Sequence, residues 1–210
     1  MAADLLDFPA KKRKGPRDVL LKVGGRPTDS EQGRSRSYLT PNEVESLLKA
    51  AGSVGRHRHR DKTIILIAYR HGLRVSELVG LKWSDLDLKA AHVHVRRLKN
   101  GVDSTHPLQG DEIRALRRLK REYGGAFLFA TERGGPLTRH TVNKLVTRAG
   151  ERAEIPFPVT PHQLRHACGF ALANRGVPTR TLQHWLGHSS IRHTVRYSAL
   201  SSAAFDGIWR

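Results

Sequence analysis

At 210 residues the chain is long enough for one well-buried domain. Apolar residues at 38%, charged residues at 27% and a net charge of +18 describe a folded basic protein rather than a charged tail, and such a charge favours a polyanion, nucleic acid first. A single cysteine rules out an intrachain disulfide. No run of eighteen apolar residues and no signal-peptide core is present, so a reducing cytoplasm is the expected setting, with no membrane partner.

Residues 1–38 show no sustained period and contain Lys11-Lys12-Arg13-Lys14, Gly24-Gly25 and a Ser/Arg-rich end. They read as a flexible basic arm ahead of a domain covering 39–210. Thr40-Pro41-Asn42-Glu43 is a capping box with proline in its first turn, and Val44, Leu47, Leu48 and Ala51 follow at helical spacing. Residues 52–60, rich in Gly, Arg and His, read as a loop. His57, His59 and nearby His71 then read as exposed loop side chains without a metal-site partner set. An apolar helix runs from Ile64 to Leu73, ends near Gly72 and delivers Arg74 at its exit, and Ser76 caps a further short helix to about Leu81.

His92-Val93-His94-Val95-Arg96 alternates as a strand does, Asn100-Gly101 signals a two-residue turn, and Thr105-His106-Pro107 returns. Lys99 falls at the hairpin tip. Helical spacing resumes at Ile113, Leu116 and Leu119, and Phe127-Leu128-Phe129 precedes a break at Gly134-Gly135. Thr138 caps a helix carrying Val142, Leu145, Val146 and Ala149. Thr160 caps the next, with Pro161 at its first position, Gln163 completing a capping box and Gly176 near its stop. On that helix His162 and Arg165 lie three apart and face one site, while Cys168 reads as a buried, inert thiol. Thr179 caps a short helix with Leu182, Trp185 and Leu186, and Ser189 or Ser190 caps the one bearing Tyr197. The result is a mainly α fold of about eight helices with one small antiparallel β-sheet, of α+β class.

Singly, Arg74 reads as a surface arginine, Lys99 as a solubilising lysine, His188 as a core histidine and Tyr197 as a half-buried aromatic. Together, His71-Gly72-Leu73-Arg74-Val75-Ser76-Glu77-Leu78, Lys99 in a hairpin, His162-x-x-Arg165, Leu186-Gly187-His188 and Tyr197 are similar in order and spacing to the tyrosine recombinase (phage integrase) family. The resemblance runs from about Thr40 to the end. More narrowly, His166-Ala167-Cys168-Gly169-Phe170-Ala171-Leu172-Ala173-Asn174, Ile191-Arg192-His193-Thr194-Val195 and Gly207-Ile208-Trp209 resemble the short recombinases that switch type 1 fimbriae.

That resemblance implies a catalytic domain that cuts and rejoins double-stranded DNA at specific sites through a 3′-phosphotyrosyl link, without ATP, metal or cofactor. It implies Tyr197 as nucleophile, Arg74 and Arg165 as phosphate ligands, and Lys99 as proton donor to the leaving 5′ oxygen. His162 would assist as base or proton acceptor, His188 would donate to a non-bridging oxygen, and Glu77 would hold the neighbouring cations. The residue types suit the chemistry. Forked guanidinium donors match a charged phosphate, and a phenol with an ordinary pKa near 10 needs cationic neighbours to become a nucleophile. Arg96, Arg97, Arg139, His140, Lys144 and Arg192 are the candidate DNA contacts.

Most of the family carries a separate N-terminal domain that closes over the DNA; the short lead before Thr40 leads us to expect weaker binding alone and more dependence on neighbouring protomers. The end of the chain, about 198–210 with Phe205, Ile208 and Trp209, packs on its own domain or docks on the next protomer of a tetrameric synapse. Inversion of a DNA segment in a phase switch is the leading reading, with DNA-bending proteins as accessory partners. The alternatives are integration or excision of a mobile element, a DNA-binding regulator that has lost cleavage, and a type IB topoisomerase.

Overall fold

A computed structural model of the chain describes residues 37–98 and 101–198. Most of the basic arm, Lys99, Asn100, and the end bearing Phe205, Ile208 and Trp209 lie outside the described residues. In chain order the elements are α1 (Pro41–Ser53), α2 (Arg58–Arg70), α3 (Val75–Gly80), β1 (Leu86–Asp87), β2 (His92–Val95), β3 (Ser104–Pro107), α4 (Gly110–Glu122), α5 (Arg139–Arg152), α6 (Pro161–Asn174), α7 (Thr179–Leu186) and α8 (Arg192–Ser198). The architecture is mainly α with one three-stranded antiparallel sheet in the order β1-β2-β3.

Helix starts follow local chemistry. Thr40 Oγ1 accepts from the Glu43 N–H at 3.3 Å while Glu43 Oε2 accepts from the Thr40 N–H at 2.7 Å, so α1 begins on a closed capping box. Before α6 the Thr160 N–H donates to Gln163 Oε1 at 2.8 Å. The central rod is α2, whose Ile64, Ile65, Ile67 and Ala68 are buried, and α1, α4 and α6 pack around it. Leu116 and Leu119 of α4, Val142 and Val146 of α5, and Leu164 of α6 complete the main core. Each fully buried Leu or Ile contributes about 1.5–3 kcal/mol by leaving water. A second, smaller cluster of Cys168, Ala173, Leu182, Leu186 and Tyr197 seats α7 and α8 on α6.

Several expectations need correction. Residues 52–60 are not one loop: α1 runs to Ser53 and α2 starts at Arg58. The histidines there are bound rather than exposed, because α4 and the adjoining turn supply polar partners. His57 Nδ1 meets Tyr123 Oη at 2.6 Å, His59 Nε2 meets the Ala115 carbonyl at 2.9 Å, and His71 is buried between Glu112 and His106. The cap of α3 is Arg74, not Ser76, since Glu77 Oε2 takes the Arg74 N–H at 2.8 Å and starts the helix earlier. At α7 Pro178 is the cap and Thr179 is the first helical residue. The turn expected at Asn100-Gly101 lies partly outside the described residues, and the β2–β3 ladder runs from His92–Pro107 to Val95–Ser104. The ladder ends there because Arg97 turns inward and its N–H bonds Asp103 Oδ1 at 2.7 Å. The short strand β1 carries no alternation long enough to read from sequence.

Candidate active site

The C-terminal ends of α2 and α7 converge, and their unpaired carbonyls are taken by arginines. Arg165, on α6, donates to the carbonyls of Gly72 and Leu186, the latter at 2.6 Å. Arg97, just past β2, donates to His71 O at 3.4 Å and to Trp185 O. Helix C-termini carry partial negative charge, so both guanidiniums sit where the macrodipoles favour cations. The geometry depends on glycine twice. Gly72 (φ +56°) reverses the chain after α2, where a Cβ would lie 2.5 Å from Leu186 Cδ2. Gly187 (φ +62°) closes α7 in the left-handed conformation, where a Cβ would lie 2.6 Å from the Arg97 side chain.

Glu77 binds the cations together. Its Oε1 accepts from Arg74 at 2.7 Å, its Oε2 accepts from Arg97 at 2.8 Å, and Arg165 lies 3.9 Å away. Burial alone would push this carboxyl up, but Arg97, Arg74 and Arg165 together hold it below the ordinary glutamate value, so it stays ionised. Burial brings the Arg165 guanidinium down to about 10, with Arg74 and Arg97 adding to the shift, and it remains charged at neutral pH. One carboxylate faces three guanidiniums, and the cluster keeps a net positive charge. Arg74, with its side chain 30% exposed, is the member open to solvent.

Tyr197, on α8, lies against this cluster. Its ring stacks with that of His188 at a centroid distance of 6.3 Å and an interplanar angle of 11°, and Phe170 meets it edge-on at 5.0 Å. The phenol is 1% exposed; burial raises its pKa, and Arg165 and Arg196 pull it back. Its hydroxyl lies 2.8 Å from Nδ1 of His166, whose Nε2 lies 2.8 Å from Nε2 of the exposed His162. His188 Nδ1 pairs with Thr194 Oγ1 at 2.9 Å. Burial, then the charges of Arg165 and Arg74, push His188 down to about 3, so it is neutral at pH 7.

Arg74, Arg165, Glu77, His188 and Tyr197 are thus brought to one place from four separate stretches, and His162 joins through His166. Lys99 lies outside the described residues; Gly101 comes close to the site, where a Cβ would lie 2.9 Å from the Gly187 carbonyl. Arg97 does not face solvent as a DNA contact would, since its guanidinium is fully covered and braces Glu77. It follows Val93 and Val95 on the inward side of the β2 alternation, a signal the sequence carried. Arg96 is 67% exposed beside Asp85, and Arg139, His140 and Lys144 on α5 and Arg192 on α8 are exposed. The sequence reading gave His166 no part, although it stands four residues from His162 on the same helix face. Cys168 is buried, with its thiol pushed up to about 12 by burial. Among the described residues no group of three or more His, Cys, Asp or Glu could hold a metal ion, and no helix is long and apolar enough to cross a membrane.

The sequence pattern of the phage integrase family matches residues 37–203. The chain is 42% identical over 182 residues to the type 1 fimbriae regulatory protein FimB of Escherichia coli strain K12, covering 84% of this chain and 90% of that protein. The crystal structure of XerA recombinase superposes with a TM-score of 0.71 at 29% identity, covering 82% of this chain but 63% of that one. A lambda integrase dimer bound to a COC′ core site superposes with a TM-score of 0.62 at 26% identity, covering 84% of this chain and 68% of that one.

Proposed function

The chain belongs to the phage integrase family as a tyrosine-type site-specific DNA recombinase, and on that premise we propose that it inverts a DNA segment by cutting and rejoining strands with the residues gathered around Glu77. The observation that carries this reading is the meeting of Arg74 and Arg165 on one carboxylate beside the Tyr197–His188 stack. A phosphodiester brings negative charge to a cluster with surplus positive charge, and Arg74 and Arg165 offer forked donors to its non-bridging oxygens. His188, its Nδ1 taken up by Thr194, offers Nε2–H to the same phosphate. Tyr197 attacks phosphorus as its phenolic proton leaves towards His162, the bond to the 5′ oxygen breaks, and Lys99 protonates that oxygen. The 3′-phosphotyrosyl bond conserves the energy of the cut, so religation to a new partner needs no ATP. Each cationic or hydrogen-bond donor removed should cost about 10²–10³ in rate.

The covered phenol meets the phosphate only when α8 shifts. That helix has seven residues and rests on the smaller apolar cluster, so it is the element able to move. Arg96, Arg139, His140, Lys144 and Arg192 track the backbone outside the site, and the segment 1–38 adds charge to a catalytic domain that starts at 39. The working form is a homo-oligomeric synapse of four protomers on two sites, in the cytoplasm and on nucleoid DNA, where DNA-bending proteins assist. The family, the charge and the lambda integrase–DNA likeness support this reading.

The test is a nicked suicide duplex carrying a cognate site. The wild-type chain should become covalently attached, and Tyr197→Phe should abolish attachment while gel-shift binding persists. Absence of adduct from the wild type on a bound cognate site would leave only a DNA-binding regulator. A plasmid with two inverted sites then reads inversion directly, against simple relaxation of supercoils.

A further inference from the structure

We infer that His166 is a further catalytic residue, the immediate acceptor of the Tyr197 proton, handing a proton on to His162 and so to solvent. The inference rests on the recombinase reading above and deepens it. The hydrogen bonds form one chain: Tyr197 Oη to His166 Nδ1 at 2.8 Å, and His166 Nε2 to His162 Nε2 at 2.8 Å. The phenol is 1% exposed and His166 is 6% exposed, whereas His162 reaches solvent. A buried hydroxyl that must become a nucleophile needs a route for its proton, and this chain leads from the reacting oxygen to the surface. Two tautomer arrangements satisfy both contacts, and the relay uses the one in which protons point away from the phenol. The phenol donates to Nδ1 of His166, and the Nε2–H of His166 donates to Nε2 of His162.

The step balances. As the phenolic oxygen attacks phosphorus, its O–H breaks and the proton passes to Nδ1 of His166. The Nε2 proton of His166 moves to His162, which becomes imidazolium and releases a proton to water. His166 ends neutral in its other tautomer, the P–O5′ bond breaks, and the leaving oxygen takes its own proton from Lys99. Religation runs the relay backwards.

The surroundings keep both rings neutral at pH 7, each with a lone pair free, though burial also makes them weaker bases. His166 is pushed down to about 4 by burial, then by His162, Arg196 and Arg165; His162 is lowered by burial, then by Arg165, Arg196 and Arg74. Cys168 and His188 complete the titratable groups around the phenol. His166 also follows Arg165 directly on α6. The relay requires that the shift of α8 keep the phenol within hydrogen-bond reach of His166 as it reaches the phosphate.

The experiment measures covalent trapping by the full chain on a nicked suicide duplex from pH 6 to 9, with gel shift and thermal melting in parallel. His166→Ala removes the acceptor. His166→Asn places an amide oxygen near the Nδ1 position, so it retains a hydrogen bond to the phenol but cannot relay a proton. Both should trap about 10²–10⁴-fold more slowly at pH 7 with DNA binding unchanged, and the deficit should shrink as pH rises and hydroxide takes over. If His166→Asn traps within about threefold of wild type, or if its deficit is the same at every pH, the relay is wrong. Loss of DNA binding or folding by both variants would make His166 structural, which also overturns the proposal. If wild type itself forms no adduct on a bound site, the recombinase reading fails instead, and the two failures are distinct.

Discussion

Glu77→Gln separates the charge of the central carboxylate from its shape. Glu77 is 1% exposed in its side chain, lies 2.7 Å from Arg74, 2.8 Å from Arg97 and 3.9 Å from Arg165, and the Arg97 side chain is fully covered. At an effective dielectric of about 20, unit charges at those separations attract by about 6, 6 and 4 kcal/mol, gross values largely offset by the cost of burying the ions. The net loss on removing one partner of a buried pair is about 3–5 kcal/mol, because the remaining cation is left uncompensated. For a chain of this size that corresponds to a melting temperature lower by about 6–20 °C. Thermal melts followed by circular dichroism at pH 7 read this directly. The control is Glu77→Gln combined with Arg97→Met, which removes both buried charges while keeping an apolar stem in place of the arginine. The double variant should melt above Glu77→Gln alone. A Glu77→Gln melt within about 2 °C of wild type, the range of an ordinary surface change, would refute the account of Glu77 as the electrostatic hub.

Gly169→Ala should strain the seat of Tyr197, since its Cβ would lie 2.7 Å from the ring; the expected cost is about 1–3 kcal/mol in denaturant melts, with covalent trapping reduced more than gel-shift affinity. Acid should destabilise the fold well above the carboxylate range. His106, His166 and His188 have folded values of about 2, 4 and 3, so below their ordinary value near 6.5 the unfolded chain binds more protons, and stability falls as pH drops from about 6.5 towards 4. A melting temperature that rises between pH 7 and pH 5 would contradict this. Arg139→Ala and Lys144→Ala, both on exposed positions of α5, should weaken DNA binding and each lower the slope of log affinity against log salt by about one, as loss of a single phosphate contact requires. An unchanged slope would remove α5 from the DNA face.

The helices were legible because their signals are local: Thr40 with Glu43, Thr160 with Gln163, and Leu116 with Leu119 announce caps and faces within a few residues. The family resemblance lay in motif order, and it singled out Arg74, Glu77, Arg165, His188 and Tyr197, side chains that the fold brings to one place. What the sequence reading missed depends on partners distant in the chain. Arg97 was assigned to DNA by its charge, although its place after Val93 and Val95 already pointed inward; the carboxylate that makes such burial tolerable is twenty residues earlier. His71 looked like a loop histidine because Glu112 and His106, which enclose it, are more than thirty residues away. His166 needed the knowledge that Tyr197, thirty-one residues on, folds back onto it.

The division of the apolar core bears on how the chemistry is controlled. Arg74, Glu77 and Arg97 are set by α2, α3 and the sheet, whose side chains belong to the main core, and ion pairs at 2.7 and 2.8 Å tie the three together. Tyr197 belongs to the smaller cluster, with Leu182 and Leu186, at the far edge of α6. Arg165 joins the halves, because one guanidinium holds the end of α2 through Gly72 and the end of α7 through Leu186. Local opening is least costly where few apolar contacts resist it. With Tyr197 as the proposed nucleophile, its place on the smaller cluster and that of Arg74 and Glu77 on the larger one would let DNA bind without being cut, the position of α8 deciding when cleavage follows.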